Sequence, residues 1–251
     1  MIGVLLVGGP TALIELGGRR LLTDPTFDPP GDYPIGSRKL TKLTPPAITP
    51  DELGPLDAVL LSHDQHPDNL DRRGRELTAS APVAYSTPAA AERMGGNVRG
   101  LAAWDAAELG DLRITAVPAL HGPPGSEPLV GAVTGFVLSG KGLPIVYVSG
   151  DNVSLEVVRE IAARCGPVDV AVIFAGGAQT ALLGDAFLTL PSAGAAEAAR
   201  ILGAPHVVPI HLEGWAHFTQ GPDSVKAAFT EAGLSDRLQL LEPGSRFELN
   251  R

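Results

Sequence analysis

The hydrophobic pattern divides the chain into short apolar runs separated by glycine- and proline-rich turns. Residues 2–7, 11–16 and 20–23 are apolar segments punctuated by Gly8-Gly9-Pro10 and Gly17-Gly18, the pattern of a β-meander. From Asp24 to Pro50, proline and glycine are so frequent that a long ordered loop is expected. Beyond it, Asp57-Ala58-Val59-Leu60-Leu61 and Leu112–Val117 read as strands, as do 133–138, 145–148, 168–174 and 206–210. Helical spacing is found over 87–94, 153–164, 192–202 and 222–232, and strands near 238–241 and 246–249 are expected to close the chain. Strand-rich ends with helices interspersed in both halves predict an α/β fold, a four-layer sandwich of two sheets with helices outside.

Composition sharpens this picture. Hydrophobic residues make up 44% of the 251 positions and charged residues 19%, with 30 glycines and 23 prolines, so a sizeable core of short strands and tight turns is expected. No composition break marks a linker. The net charge of −9 argues against a nucleic-acid partner, which needs a basic stripe to neutralise phosphates. The nearest candidate, Arg72, Arg73 and Arg75, is flanked by Asp71 and Glu76 and reads as a solvated helix face. The single cysteine, Cys165, excludes an intramolecular disulfide and a cysteine-rich zinc site, and reads as a buried structural thiol. The first residues lack the features of a signal peptide, and no apolar run approaches the roughly 18 residues of a membrane span. No membrane partner is expected, and the cytoplasm is the expected compartment.

The candidate chemistry lies where buried strands emerge. His63 and His66 follow one apolar run and His121 another; Asp151 follows a third and His211 a fourth. Strand ends are where α/β folds place ligand-binding groups. Imidazole nitrogen with carboxylate oxygen suits zinc, manganese or iron, and two adjacent cations need an anionic bridge, a task that suits Asp151. A lone histidine at a strand end is more often structural, but four strand ends each supplying a histidine or aspartate point to a metal site.

The run Leu60-Leu61-Ser62-His63-Asp64-Gln65-His66-Pro67-Asp68-Asn69-Leu70-Asp71 resembles the signature of the metallo-β-lactamase superfamily. His121-Gly122, Gly150-Asp151 and Pro209-Ile210-His211 resemble its remaining metal motifs in the expected order. Gly9-Pro10-Thr11-Ala12-Leu13-Ile14-Glu15 and Leu22-Thr23-Asp24-Pro25 resemble the opening of the branch that includes ascorbate-6-phosphate lactonase. The resemblance implies one metallo-β-lactamase-like domain over 1–251, with two similar halves of about 1–125 and 126–251. It also implies a metal-dependent hydrolase acting on a small ester, lactone, amide or phosphodiester. His66, His121 and either His63 or Asp64 would hold a first metal; Asp68 and His211 would hold a second, and Asp151 would bridge. Zinc is the expected ion, one or two per chain, with manganese and iron(II) also suited. Asp68 would orient the attacking water and act as general acid–base.

The signature departs from the family pattern twice. His63 and His66 stand three apart, one more than usual, and can share a face if the segment makes a helical turn. Asn69 takes the place of the motif's third histidine, an amide in place of an imidazole. This substitution keeps open a non-catalytic protein that binds a metal or ligand on the same fold. The segment from His211 to Phe218 carries Glu213, Trp215 and His217 and reads either as a wall of the substrate pocket, with His217 catalytic, or as an aromatic turn packed on the core. Asp24, before Pro25, reads as a turn former, with a bond to a ligand histidine as the alternative; His206 reads as structural. The expected partner is a small-molecule substrate, met by the chain alone or as a homo-oligomer.

Overall fold

In a computed structural model, which describes residues 1–249, the elements follow one another in a largely strand-first order. They are β1 (Ile2–Gly8), β2 (Thr11–Leu16), β3 (Arg19–Thr23), β4 (Gly31–Ile35), β5 (Arg38–Lys42), α1 (Pro50–Leu53), β6 (Ala58–Leu60), α2 (Arg72–Ser80), β7 (Ala84–Ser86), α3 (Pro88–Met94) and β8 (Val98–Gly100). The chain continues through β9 (Ala106–Leu109), β10 (Leu112–Pro118), α4 (Glu127–Val130), β11 (Thr134–Gly140), β12 (Val146–Val148), α5 (Leu155–Cys165), β13 (Val170–Phe174), α6 (Ser192–Ile201), β14 (His206–Ile210), α7 (Pro222–Glu231) and β15 (Arg246–Leu249). One mixed sheet has the order β15-β1-β2-β3-β6-β7-β8 and a second the order β14-β13-β12-β11-β10-β9.

Strand alternation explains the layering. In β13, Val170, Val172 and Phe174 face the core between the sheets, where they meet Val4, Ile14 and Leu60 of the first sheet. Its other residues, Ala171 and Ile173, face the helix side, with Val158 and Ile161 of α5, Ala195 and Ala199 of α6 and Phe229 of α7. Both faces are covered, so β12 and β13 read as unbroken apolar runs. The alanine-rich α6 lets helix and sheet approach closely. On the opposite side, Val59, Leu61 and Val98 pack near Ala91 and Met94 of α3, while Leu13, Leu22 and Phe27 pack near Leu77 of α2. The result is the four-layer αβ/βα sandwich of the metallo-β-lactamase type, each large apolar side chain contributing roughly 1.5–3 kcal/mol by burial.

The structure corrects three of the sequence expectations and adds short elements that they lacked, among them β7, β8, β9 and α4. The Asp24–Pro50 segment is not all loop: β4 and β5 pair as an antiparallel hairpin, Gly31 opposite Lys42 through Ile35 opposite Arg38. Pro29, Pro30, Pro34 and Gly36 masked it, yet a two-stranded ribbon has edges where proline is tolerated. No strand forms at 238–241; Leu238 makes one bridge to Val207, with Gln239 N donating to Val207 O at 2.8 Å. Val207 and Pro209 face the same outer edge of β14, and Pro209 has no N–H to extend the ladder. Cys165, at the end of α5, is only half-buried and packs its side against the helix-side core. Among the described residues, no helix is long and apolar enough to cross a membrane.

Candidate metal centre

The strand ends deliver their polar groups to one cluster. β6 ends at Leu60, and bends at Ser62 and at Asp64–Gln65 turn His63 and His66 toward each other. The hydrogen-bonded turn begins only at His66, whose carbonyl accepts from Asn69 N and Leu70 N, so the two rings do not meet across a helical turn. His63 Nε2 lies 2.9 Å from His66 Nδ1, and His121 Nε2 lies 3.3 Å from the same atom. Asp151 closes the group, its Oδ2 3.7 Å from His121 Nε2. Ligand atoms of His63, His66, His121 and Asp151 all fall within 4.8 Å of one another, as do those of Asp68, Asp151 and His211.

Two glycines permit this convergence. Gly150 has φ +57°, and a Cβ there would stand 2.5 Å from Thr134 O, so the turn that aims Asp151 requires glycine. At Gly176 a Cβ would come within 2.1 Å of His211 O. His211 itself has φ +60° and Asp24 φ +28°, an uncommon region for residues with side chains. Such strain persists where surrounding contacts impose it, and functional sites concentrate it. His211 N donates to Gly9 O at 2.8 Å, so the β1–β2 turn pins this end of the cluster.

Hydrogen bonds behind the rings set their tautomers. Leu188 O, which can only accept, lies 3.0 Å from His121 Nδ1, so that nitrogen carries the proton and the Nε2 lone pair faces the cluster. Ser62 Oγ donates to Asp24 Oδ2 at 2.6 Å and therefore accepts from His63 Nδ1 at 2.9 Å, leaving the His63 Nε2 lone pair inward. At most one N–H can lie among the three facing nitrogens, so lone pairs are left opposed. Burial, followed by mutual repulsion, lowers the proton affinity of these imidazoles: His63 falls well below its usual value and His121 to about 3. Burial likewise lowers His66 and His211.

The two central carboxylates behave oppositely. Burial, reinforced by Asp68 and Asp24, pushes Asp151 well above the usual carboxylate range. Burial acts in the same sense on Asp68, but His217, His211 and His66 together hold it well below that range. Asp68 Oδ2 lies 3.0 Å from His217 Nε2 and 3.4 Å from His211 Nε2. Among the described residues, Asp68 Oδ1 and both ring nitrogens of His211 are buried without a hydrogen-bond partner. Unpartnered buried polar atoms are costly, and a divalent cation among opposed nitrogen lone pairs and carboxylate oxygens would satisfy them. The residues fit the group.

Asp64 stands apart. Its carboxylate is held by Arg93 of α3, with Nε 3.0 Å from Oδ2 and 3.2 Å from Oδ1. Asn69 contributes its NH2 face to the cluster, with Nδ2 donating to Asp24 Oδ2 at 3.0 Å and to Asp151 Oδ1 at 3.1 Å. It clamps two carboxylates and does not offer its oxygen to them. Asp24 is far more than a turn former: it is buried, accepts from Ser62 N, Ser62 Oγ and Asn69, and burial pushes it up to about 7. No local signal separates this aspartate from an ordinary Asp-Pro turn.

A narrow pocket of about 30 Å3 leads to the cluster. His66, Asp68, His121, Asp151 and His217 contribute to it, together with Ile35, Arg38 and Leu40 of the β4–β5 hairpin, Val130, and Ala178, Gln179, Thr180 and Leu188. In the 211–218 segment His217 lines the pocket, while Trp215 is buried. Arg38 had no signal in the sequence, because the hairpin carrying it was hidden.

Known proteins resemble the chain in sequence and in fold. Residues 19–212 match the β-lactamase superfamily domain. A UPF0173 metal-dependent hydrolase of Methanosphaerula palustris is 30% identical over 200 residues, covering 77% of this chain and 84% of that protein. Two solved structures share the fold. One is a possible metal-dependent hydrolase from Veillonella parvula (TM-score 0.88, 18% identity, 99% of this chain and 100% of that one). The other is an isothiocyanate hydrolase from Delia radicum gut bacteria (TM-score 0.85, 19% identity, 99% and 100%). The chain therefore belongs to the β-lactamase superfamily, as a metal-dependent hydrolase of the UPF0173 group.

Proposed function

We propose that this hydrolase cleaves a small ester, lactone, amide or phosphodiester with water activated at the cluster around Asp151. The observation that carries the reading is the convergence of three inward-facing imidazole nitrogens and Asp151 beside the Asp68–His217 pair, all lining or adjoining one pocket. His63, His66, His121 and Asp151 would hold a first cation, and Asp68, Asp151 and His211 a second; zinc suits the nitrogen-rich set best, with manganese and iron(II) as alternatives. Such a cation, when bound, polarises the scissile bond and lowers the pKa of water toward about 7. Asp64 drops out of the ligand set because Arg93 occupies its carboxylate.

The chain's own groups supply the rest. Asp68 Oδ1, free of partners, orients the attacking water and takes its proton. His217, hydrogen-bonded to Oδ2 and 15% exposed, holds Asp68 anionic and links it to solvent. The same carboxyl returns the proton to the leaving group. One fold neighbour is an isothiocyanate hydrolase, so an isothiocyanate joins generic esters, lactones, amides and phosphodiesters in the test panel. Chelation should abolish turnover of whichever substrate is accepted, and zinc, manganese or iron(II) should restore it. Asp68→Asn should lower turnover by about 10²–10⁴-fold, or roughly 3–5.5 kcal/mol of barrier, with metal content measured in the same sample. Near-unaltered turnover in Asp68→Asn, or a metal-loaded protein inactive on the whole panel, would sink the reading.

A further inference from the structure

Among the described residues that line the pocket, Arg38 is the one arginine or lysine. It sits on β5, on the hairpin that reaches over the cluster, and is half-buried. Its one hydrogen bond among the described residues runs across the mouth, from Nη1 to Thr180 Oγ1 at 2.8 Å. The chain is acidic, and its other arginines commonly find carboxylates: Arg19 with Asp57, Arg20 with Glu15, Arg72 with Asp28, Arg93 with Asp64 and Arg246 with Glu15. Among the described residues Arg38 has no such partner. Its planar fork of five donors keeps most of its capacity for a carboxylate or phosphate.

The surroundings define what that anion belongs to. Ile35, Leu40, Val130 and Leu188 give apolar lining to the same pocket that holds Arg38 and the polar floor of His66, Asp68, His121 and Asp151. A substrate spanning this space has a scissile group at the floor, a short apolar body, and a negative end at Arg38 and Thr180. We propose that Arg38 is a specificity-determining residue that binds the carboxylate or phosphate of an anionic substrate, a few carbon atoms from the bond that is cleaved. This inference rests on the hydrolytic reading above, which makes the pocket the active site.

The test uses the metal-loaded protein and three short probes in calorimetric titration: valerate, glutarate, which adds a second carboxylate to the same carbon chain, and 4-phosphonobutyrate. A charge-assisted forked contact should make glutarate or 4-phosphonobutyrate bind about tenfold or more tighter than valerate, and the better of the two tells carboxylate from phosphate. Arg38→Met should bring that ratio close to one, and Arg38→Lys, which keeps the charge without the fork, should leave it in between. Lys39→Met removes a neighbouring charge that pairs with Asp32 on the same hairpin and should leave the ratio intact. A ratio near one in the unaltered protein, a ratio kept in Arg38→Met, or no binding of any probe overturns the proposal. Metal content and hydrolysis in the same samples separate the two readings. An intact ratio without metal or turnover brings down the catalytic reading alone, whereas turnover with a ratio near one brings down the role of Arg38 alone.

Discussion

Around Asp151 the cluster divides into a nitrogen-rich side, His63, His66 and His121, and a sparser side, Asp68 and His211, and the two are supported in different ways. On the nitrogen-rich side, His121 is backed by Leu188 O and His63 by the Ser62–Asp24 relay, so both rings present fixed lone pairs. On the other side neither nitrogen of His211 has a hydrogen-bond partner. That ring is held instead by aromatic contact, 5.2 Å from Phe174 and 4.1 Å from Phe218 between centroids, and by its strained backbone. Outer hydrogen bonds fix ring orientation and raise ligand basicity. Both rings of the first side are therefore preorganised by hydrogen bonds, whereas on the second only the Asp68 side chain is so held, by His217, and the His211 ring rests on packing, so the first should bind a cation more tightly.

The severest way to break this comparison is to remove what both sides share. Asp151 faces both ligand groups, and His121 completes the first. The double change His121→Ala and Asp151→Ala should abolish tight metal binding, with elemental analysis after dialysis falling from one or two ions per chain to near none. Retention of the unaltered stoichiometry would contradict the assignment of the centre. A milder change separates the sides. Ser62→Ala cuts the relay between His63 and Asp24 without touching a ring, and loss of such an outer partner typically costs 10–100-fold in metal affinity. The loss should appear in the tighter of two calorimetric steps and leave the weaker one in place; an equal loss in both would mean that the relay supports the fold and not the ring.

Much of the cluster was legible because buried strands announce their ends: an apolar run followed by a histidine or aspartate marks the place where the backbone leaves the sheet. Residues whose meaning depends on partners remote in sequence were not legible. Asp24 looked like any aspartate before proline until Ser62 and Asn69, brought by the parallel pairing of β3 with β6, closed on it. The Asp64 carboxylate is held by Arg93, a residue of α3 that no spacing rule connects to the motif. The hairpin of Arg38 was obscured by its own turn residues, which signal irregular backbone whether or not the flanking segments pair. The core layers were readable from short apolar runs and helical spacing, since these depend only on neighbours along the chain.

The finest test of the asymmetry acts on Asn69, which stands where the family motif has a histidine. Its NH2 joins Asp24 to Asp151 and adds no donor to the Asp68–His211 side. Asn69→His would place an imidazole beside Asp151, so the weaker calorimetric step should tighten, by about tenfold if one added ligand contributes roughly 1.4 kcal/mol. The exchange has a cost. Two buried hydrogen bonds disappear, at roughly 0.5–1.5 kcal/mol each, and Asn69 is fully buried, so a larger ring adds packing strain of about 1–3 kcal/mol. A lowered melting temperature of the metal-free variant is therefore expected together with a narrower gap between the two steps. Stability and affinity must move in opposite directions for the clamp to be what separates the two sides. Two equally tight steps in the unaltered protein would show that Asn69 imposes no asymmetry, and a variant with lower stability but an unchanged gap would reduce Asn69 to a packing residue.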